Sequence, residues 1–190
     1  MASIDNIPTD TSVEDLLGKV MPEFAKEALV TNNAAAELGG TEISMVVDVS
    51  GKNYSYIVKD GKDVASSNDA LSNPMLKLQI SEDHLQKMIQ TKNLDMILGI
   101  QNDINRVKYN ALSSLKGSFT AEVANDDGTT FIIKAILNGA EQPHSIFKMS
   151  AADTQALMRK ETNPVNLFMS GAMKIDGDMS FAMATQPLFT

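Results

Sequence analysis

The sequence predicts an α+β protein with a mostly antiparallel sheet of five to seven strands and with helices packed on one face of that sheet. Three observations support this class. The 190 residues are 43% hydrophobic and 21% charged, a globular composition with enough material for a real core. Hairpin signals occur at Gly51 and at Gly128, each between two strand-like runs. The strand and helix patterns do not alternate as they do in a parallel α/β sheet.

The first half begins with a helix and continues with strands. Apolar residues at helical spacing predict a helix from Ser12, its N-cap, to about Val30, and we expect Pro22 to kink or split it. Small residues over 32–40 and polar residues over 65–74 indicate loops. Strands are predicted over 43–49, 54–58 and 75–80. Ser81 then caps a helix, and further helical segments lie on both sides of Gly99.

The second half repeats this order. Strands are predicted over 119–123, 129–137 and 145–149, and Ser150 caps the helix that follows. Pro164 starts a short helix, a strand covers 173–176, and Asp178 caps the last helix. Gly51 then corresponds to Gly128, Ser81 to Ser150, Gly99 to Gly171, and Asp103 to Asp178, with both aspartates as helix caps. Two explanations stay open: a diverged structural duplication, or the chance recurrence of a common order.

Charge and composition exclude several classes of function. A net charge of −8 argues against general nucleic-acid binding and against electrostatic adhesion to anionic lipid. The chain has no cysteine, and no catalytic, metal-binding or nucleotide-binding motif appears. We therefore expect no catalytic residues, no metal and no cofactor. The first residues lack the basic and apolar regions of a signal peptide, and no run is long enough to span a membrane, so we expect a cytoplasmic protein.

Methionine is the unusual feature of the composition. The chain has 12 methionines, and five of the last six lie at 158, 169, 173, 179 and 183. Methionine is flexible and polarizable, so it suits surfaces that adapt to irregular apolar shapes. This cluster is either part of an ordinary core or the wall of an apolar cavity that accepts varied ligands. Composition does not separate these two interpretations.

The segment from Asn163 to Phe189 resembles the sterol carrier protein type 2 (SCP2) family. The resemblance lies in Asn163-Pro164, the apolar run 167–169, Gly171, the strand 173–175, Gly177-Asp178 and the methionine-rich helix that ends at Leu188. The order of strands and helix from Phe119 to Lys160 also suits this family. The whole chain is then interpreted as a single SCP2-like domain. Residues 1–41 form an N-terminal helix and loop, 42–111 an extra or diverged first half-repeat, and 112–190 the family-like half.

The resemblance implies a hydrophobic cavity between the sheet and the helices, and a lipid-binding or lipid-transfer protein without catalysis. The implied ligand is a fatty acid, acyl-CoA, a phospholipid or a sterol. The alternative is a scaffold or partner-docking subunit of the same fold that holds no lipid. We expect at most transient membrane contact, and a homodimer stays open. From their placement on successive elements, eight residues are expected to line the cavity: Phe147, Leu157, Leu167, Phe168, Met173, Ile175, Met179 and Met183.

Overall fold

The chain begins with a helix that Ser12 caps and Pro22 divides. In the computed structural model, which describes residues 3–99 and 103–190, the Ser12 hydroxyl accepts a hydrogen bond from the Asp15 N–H at 3.0 Å. Helix α1 (Val13–Asp15) continues through a π-helical turn (Leu16–Val20) into α2 (Met21–Thr31). Pro22 lies in the first turn of α2, where a missing N–H is tolerated best. The predicted helix and its cap are confirmed.

The remaining elements follow in two groups. The described part of the chain contains eight strands: β1 (Glu42–Val49), β2 (Lys52–Lys59), β3 (Asp63–Ser67), β4 (Leu76–Ile80), β5 (Gly117–Ala124), β6 (Thr130–Leu137), β7 (His144–Ser150) and β8 (Lys174–Gly177). The further helices are α3 (Ala34–Leu38), α4 (Glu82–Gln90), α5 (Asp95–Leu98), α6 (Arg106–Ser114), α7 (Ala151–Met158), α8 (Pro164–Met169) and α9 (Met179–Ala184). Two 3₁₀ turns, Ile4–Asn6 and Gln186–Phe189, lie near the two ends of the described chain.

The strands form one sheet in the order β3-β2-β1-β4-β6-β5-β7-β8. The α+β class is therefore confirmed, and two details of the prediction are corrected. The described residues contain eight strands where five to seven were expected, because β3 adds an edge strand. The sheet is mixed, since β1 pairs with β4 and β5 pairs with β7 in parallel. Each parallel pair forms because a later strand of the half, β4 or β7, returns beside the first strand of the hairpin, β1 or β5.

One face of the sheet carries the core and the other carries ion pairs. Alternate residues of β5, among them Phe119 and Val123, are buried, as expected for a half-covered sheet. The opposite face holds the ion pairs Lys77–Asp48 at 3.6 Å and Lys148–Asp176 at 2.7 Å. Helices α7 and α9 contact β7 on the apolar face. The strands therefore present a row of apolar side chains to the C-terminal helices.

Three strands of each half have the same order and direction. In the first half β4 lies parallel to β1, on the side of β1 away from its hairpin partner β2. In the second half β7 lies in the same way beside β5, whose hairpin partner is β6. The outer strands differ, since β3 pairs with β2 and β8 pairs with β7. Ser81 and Ser150 cap the helices after β4 and β7, as predicted. This agreement supports the duplication, which stays a prediction.

Three local predictions are wrong. Residues expected to form a loop contain α3, whose Ala-rich run favours a helix and buries Leu38 completely. The expected polar loop over 65–74 contains the end of β3, an edge strand whose exposed side chains leave no apolar alternation. Asn105, and not Asp103, caps α6, since its side chain accepts from the Lys108 N–H at 2.9 Å. The carboxylate of Asp103 binds lysine side chains instead.

Candidate functional site

A small apolar pocket lies between the C-terminal helices and the sheet. Its volume is about 100 Å³, and its wall is almost free of polar surface. The lining comes from β5, β7, β8, α5, α7, α8, α9 and the last 3₁₀ turn: Met96, Phe119, Phe147, Met149, Leu157, Pro164, Val165, Phe168, Met173, Ile175, Ala182, Met183, Thr185, Gln186 and Phe189. Four of these residues are methionines, whose side chains can change rotamer at modest packing cost.

The pocket brings together most of the residues expected from the sequence. Six of the eight line it: Phe147, Leu157, Phe168, Met173, Ile175 and Met183. Leu167 and Met179 do not. Leu167 is buried, and its carbonyl accepts from the Met173 N–H at 2.9 Å, whereas Met179 is 44% exposed. That these side chains bind a ligand stays a prediction.

Three phenylalanines form the aromatic part of the wall. The Phe119 and Phe147 rings are 5.5 Å apart, and Phe189 lies 5.7 Å from Phe119 and 6.2 Å from Phe147, all edge to face. Phe119 and Phe189 were not predicted, because they are 70 residues apart in the sequence and meet only through the fold. Phe119, Ala121 and Val123 occupy alternate positions of β5 and are buried. This spacing is the one local signal that Phe119 faces the core.

Short polar contacts hold the two helices that close the pocket. Asn163 caps α8 by accepting from the Asn166 N–H at 2.8 Å, and Asp178 caps α9 by accepting from the Phe181 N–H at 2.7 Å. Gly177 lies between β8 and α9 with φ of 87°, and a Cβ there would be 2.5 Å from the His144 carbonyl oxygen. A side chain at this position is therefore excluded, which explains the glycine before the cap.

The outer edge of the pocket is apolar and exposed. Val165, Phe168 and Met183 line the pocket and are 40%, 43% and 52% exposed, and Met169 beside them is 81% exposed. Exposed clusters of large apolar side chains commonly mark binding surfaces. The pocket thus opens toward solvent between α8 and α9.

A charged cleft adjoins the pocket. Its volume is about 570 Å³, and it shares Leu157 and Phe189 with the pocket, so these two side chains lie between the two spaces. Arg159 in the cleft binds Asp95 at 2.8 Å and Asp5 at 2.9 Å. The hydrogen bonds that Arg159 donates to the carboxylates of Asp95 and Asp5 hold the pKa of its guanidinium group above its usual value.

Asp103 is the third carboxylate that lines the cleft, after Asp5 and Asp95. Lys108 binds its carboxylate at 2.8 Å, and Lys160 binds the same carboxylate. Burial opposes the charge of Asp103, but the hydrogen bonds from the two lysines outweigh it and hold the pKa of Asp103 below its usual value. Lys108 is almost completely buried, with 6% of its side chain exposed, which is unusual for a lysine.

A second, smaller apolar pocket lies in the N-terminal half. The sequence left open whether there are one or two cavities. This one has a volume of about 30 Å³. It is lined by Met21, Ala25, Ile43, Met45, Tyr56, Val58, Val64, Leu76, Ile104 and Leu112. It lies over β1 and β2, whereas the larger pocket lies over β5, β7 and β8.

Within residues 3–99 and 103–190, no helix is both long enough and apolar enough to cross a bilayer.

Comparison with known proteins shows that the C-terminal half resembles one family. Residues 100–190 match the model of the SCP-2 sterol transfer family. A search of curated proteins gives no match. The solution structure of the sterol carrier protein domain 2 of Helicoverpa armigera is 25% identical, covers 54% of this chain and 84% of that chain, and has a TM-score of 0.37.

Two further solved structures are similar to this chain. Sterol Carrier Protein 2 Like 2 from Aedes aegypti is 15% identical over 47% of this chain and 92% of that chain, with a TM-score of 0.33. Sterol Carrier Protein 2 from Yarrowia lipolytica in its apo form is 14% identical over 92% of this chain and 95% of that chain, with a TM-score of 0.26. The family match confirms the resemblance found in residues 163–189. In its C-terminal half, residues 100–190, this chain is similar to the SCP-2 sterol transfer family.

Proposed function

We propose that this protein binds the hydrocarbon part of a lipid in the apolar pocket between α8, α9 and the sheet, and carries it between membranes. The observation that carries the proposal is the position of the pocket, since most of its lining lies within the residues that match the SCP-2 family model. Fatty acyl chains, phospholipid chains and sterols are the candidate ligands. The proposed role is binding and transfer, without catalysis.

The size of the pocket requires it to widen when a ligand enters. An apolar cavity of about 150 Å³ stays dry and accepts benzene, and this pocket is smaller, at about 100 Å³. Met96, Met149, Met173 and Met183 supply flexible wall, and Phe168 and Met183 stand partly in solvent at the edge. Movement of Phe168 and Met183 is the least costly route to a larger volume, because their exposed ends have little packing to lose.

The alternative function is a scaffold or docking subunit of the same fold without lipid. The exposed apolar side chains around the pocket, Phe168, Met169 and Met183, favour the carrier over a closed, fully packed scaffold. We place the carrier in the cytoplasm, with transient membrane contact during loading. Self-association into a homodimer through these exposed side chains belongs to the same alternative.

Two lysine substitutions on α9 test the proposal. Met183 lines the pocket and Met179 does not, although their exposures are similar, 52% and 44%. Met183→Lys places a charge at the pocket edge, and the long side chain can extend its ammonium group to solvent. We expect binding of a fluorescent fatty acid to weaken at least 10-fold, which is about 1.4 kcal/mol. The melting temperature should fall by no more than ~4 °C.

Met179→Lys is the matched control, and we expect it to leave both fluorescence binding and melting temperature unchanged. Equal loss of binding in the two variants would show that charge on α9, and not the pocket, is responsible. A collapse of the melting temperature in Met183→Lys would assign the methionines to the core. Wild-type protein that binds no apolar probe would favour the scaffold. Native mass spectrometry of freshly purified protein, followed by organic extraction, gives an independent test through co-purified lipid.

A further inference from the structure

The charged cleft beside the apolar pocket contains two ion-pair groups of opposite net charge. At one end Arg159 contacts two carboxylates, Asp5 and Asp95. At the other end two ammonium groups, of Lys108 and Lys160, share the single carboxylate of Asp103. Among these cleft residues, positive charge is therefore in excess only at the lysine end.

The two lysines occupy different environments. Only 6% of the Lys108 side chain is exposed, so its ammonium group is shielded from water, and attraction to an anion there is stronger than at the surface. Lys160, in the turn after α7, has 50% of its side chain exposed and can reorient. An ammonium group has three N–H donors, and its bond to Asp103 uses one. The pair therefore has N–H donors left for a second anionic group, and the negative charge of Asp103 opposes the binding of that group.

The wall between the cleft and the pocket is thin and apolar. Leu157 and Phe189 line both spaces, so each has one side toward the charged residues and another toward the pocket. Leu157 lies in the last turn of α7, and the cleft residues Arg159 and Lys160 directly follow the end of this helix. A molecule with an anionic head in the cleft and a hydrocarbon chain in the pocket would pass between these two side chains.

We infer that Lys108 and Lys160 bind the anionic head group, a carboxylate or a phosphate monoester, of an amphiphile whose chain occupies the pocket. This inference rests on the proposed function, and it narrows the ligand from lipids in general to anionic single-chain amphiphiles. In the ligand-free protein the Asp103 carboxylate binds the two lysines, and it competes with the ligand's anionic head group for them. Removing the charge of Asp103 should therefore raise the affinity for the anionic ligand. If the ion pair has only a structural role, the affinity should not rise.

The experiment measures displacement of the uncharged fluorophore N-phenyl-1-naphthylamine by three probes with the same chain. Dodecanoate and dodecyl phosphate carry the two head groups, and methyl dodecanoate carries none. We expect the wild type to prefer at least one anionic probe over the ester by about 10-fold, the size of one charge-assisted hydrogen bond. The preferred head group then identifies the anion.

Four variants separate the explanations. Lys160→Ala should reduce the preference below about threefold and leave ester binding unchanged, because half-exposed Lys160 is not needed for folding. Asp103→Asn should raise affinity for the anionic probe and not for the ester. Lys108→Met, a change to an apolar side chain of similar length, should remove the preference completely. Lys174→Ala, at an exposed position on β8 that does not line the cleft, controls for long-range charge and should change nothing.

The measurements distinguish failure of the head-group site from failure of the apolar pocket. Equal wild-type affinity for acid, phosphate and ester overturns the head-group site and leaves the apolar pocket as the binding site. A preference that survives in Lys160→Ala, or an Asp103→Asn variant that binds no tighter than wild type, also overturns it. Failure of all three probes and of the fluorophore to bind overturns the proposed function together with this inference. If Lys108→Met does not fold, Lys160→Ala and Asp103→Asn decide the question.

Discussion

The Tyr56 hydroxyl donates a hydrogen bond to the Leu17 carbonyl oxygen at 2.5 Å, and so joins β2 to the π-helical turn between α1 and α2. In this turn the Met21 N–H donates to the Leu16 carbonyl, five residues back. The next donor in the same pattern would be residue 22, which is a proline and has no N–H. Tyr56 therefore supplies the hydrogen bond that Pro22 cannot, to a carbonyl in the buried part of the chain.

Tyr56→Phe should destabilise the protein by about 1–3 kcal/mol, because it leaves the Leu17 carbonyl without this donor in a buried position. Urea unfolding measures the loss. Pro22→Ala restores a backbone N–H at the position of the missing donor. In that background we expect Tyr56→Phe to cost less, and a double-mutant cycle measures the difference. Equal costs in the two backgrounds would show that Tyr56 and Pro22 act independently.

Burial raises the pKa of Tyr56 well above its usual value of 10.0, because the phenolate would have to form away from water. The hydroxyl is therefore protonated, and its hydrogen bond to Leu17 is formed, throughout the neutral pH range.

Ser81→Ala and Ser150→Ala should each lower the free energy of unfolding by about 1 kcal/mol, the usual worth of an N-cap. The Ser81 hydroxyl accepts from the His84 N–H at 3.2 Å, and Ser150 accepts from the Asp153 N–H at 3.0 Å. Ser150→Ala should cost more, because the same hydroxyl also donates to the Asp153 carboxylate at 2.7 Å. Chemical denaturation provides the measurement.

Ser113→Ala is the control for these cap substitutions. The Ser113 hydroxyl donates to the Tyr109 carbonyl within α6, where alanine is the better helix former. We expect this variant to be neutral or slightly stabilised. A loss in Ser113→Ala as large as in the cap variants would mean that hydroxyl removal in general, and not capping, lowers stability.

Asp103 should make stability depend on pH in the acid range. Its pKa in the folded protein lies below the usual 3.8, so its contribution is complete above that value and is lost as pH falls through the folded pKa. Asp103→Asn should therefore be less stable than wild type at neutral pH, and the difference in unfolding free energy should narrow as the pH falls below 3.8. Urea unfolding at a series of pH values measures the gap. Asp10→Asn, at an exposed position, is the control and should show no such gap.

Phe189→Ala should enlarge the apolar pocket at the expense of stability. The ring lies edge-on to Phe119 and Phe147, and its removal leaves space that the wall only partly fills. We expect a loss of about 3 kcal/mol, at the low end for such a change because Phe189 is only partly buried. Binding of a bulky apolar fluorophore should increase. Phe189→Leu keeps most of the volume and should lie between the two proteins in both measurements. Weaker binding in Phe189→Ala would instead make Phe189 a contact for the ligand.

Much of the local structure could be predicted from the sequence, because its causes lie within a few residues. The caps at Ser12, Ser81, Ser150 and Asp178 each depend on a hydroxyl or carboxylate and an N–H three residues later. The alternation along β4 and β7 likewise depends on neighbouring positions. Six pocket residues were found for the same reason, since they lie on successive elements of one short segment.

The errors occurred where the cause is distant in the sequence. Polar β3 is a strand only because β2 offers it an edge to pair with. Asp103 resembles a helix cap, but the fold places Lys108 and Lys160 at its carboxylate. Leu167 lies on the same short helix as the pocket residue Phe168, yet its side chain is buried in the core and does not line the pocket.

The sequence by itself determined the α+β class, most helix starts and the resemblance of the C-terminal half to the SCP-2 family. The tertiary structure decided the order and direction of the strands, the meeting of Phe119 with Phe189, and the placing of the lysine pair beside the pocket. The physical reason is the range of the interactions. Backbone propensity and capping act over about one helical turn. Burial of apolar surface is non-directional, so it stabilises every fold that brings the same side chains together. One strand order is therefore favoured only when all contacts of the fold are taken together.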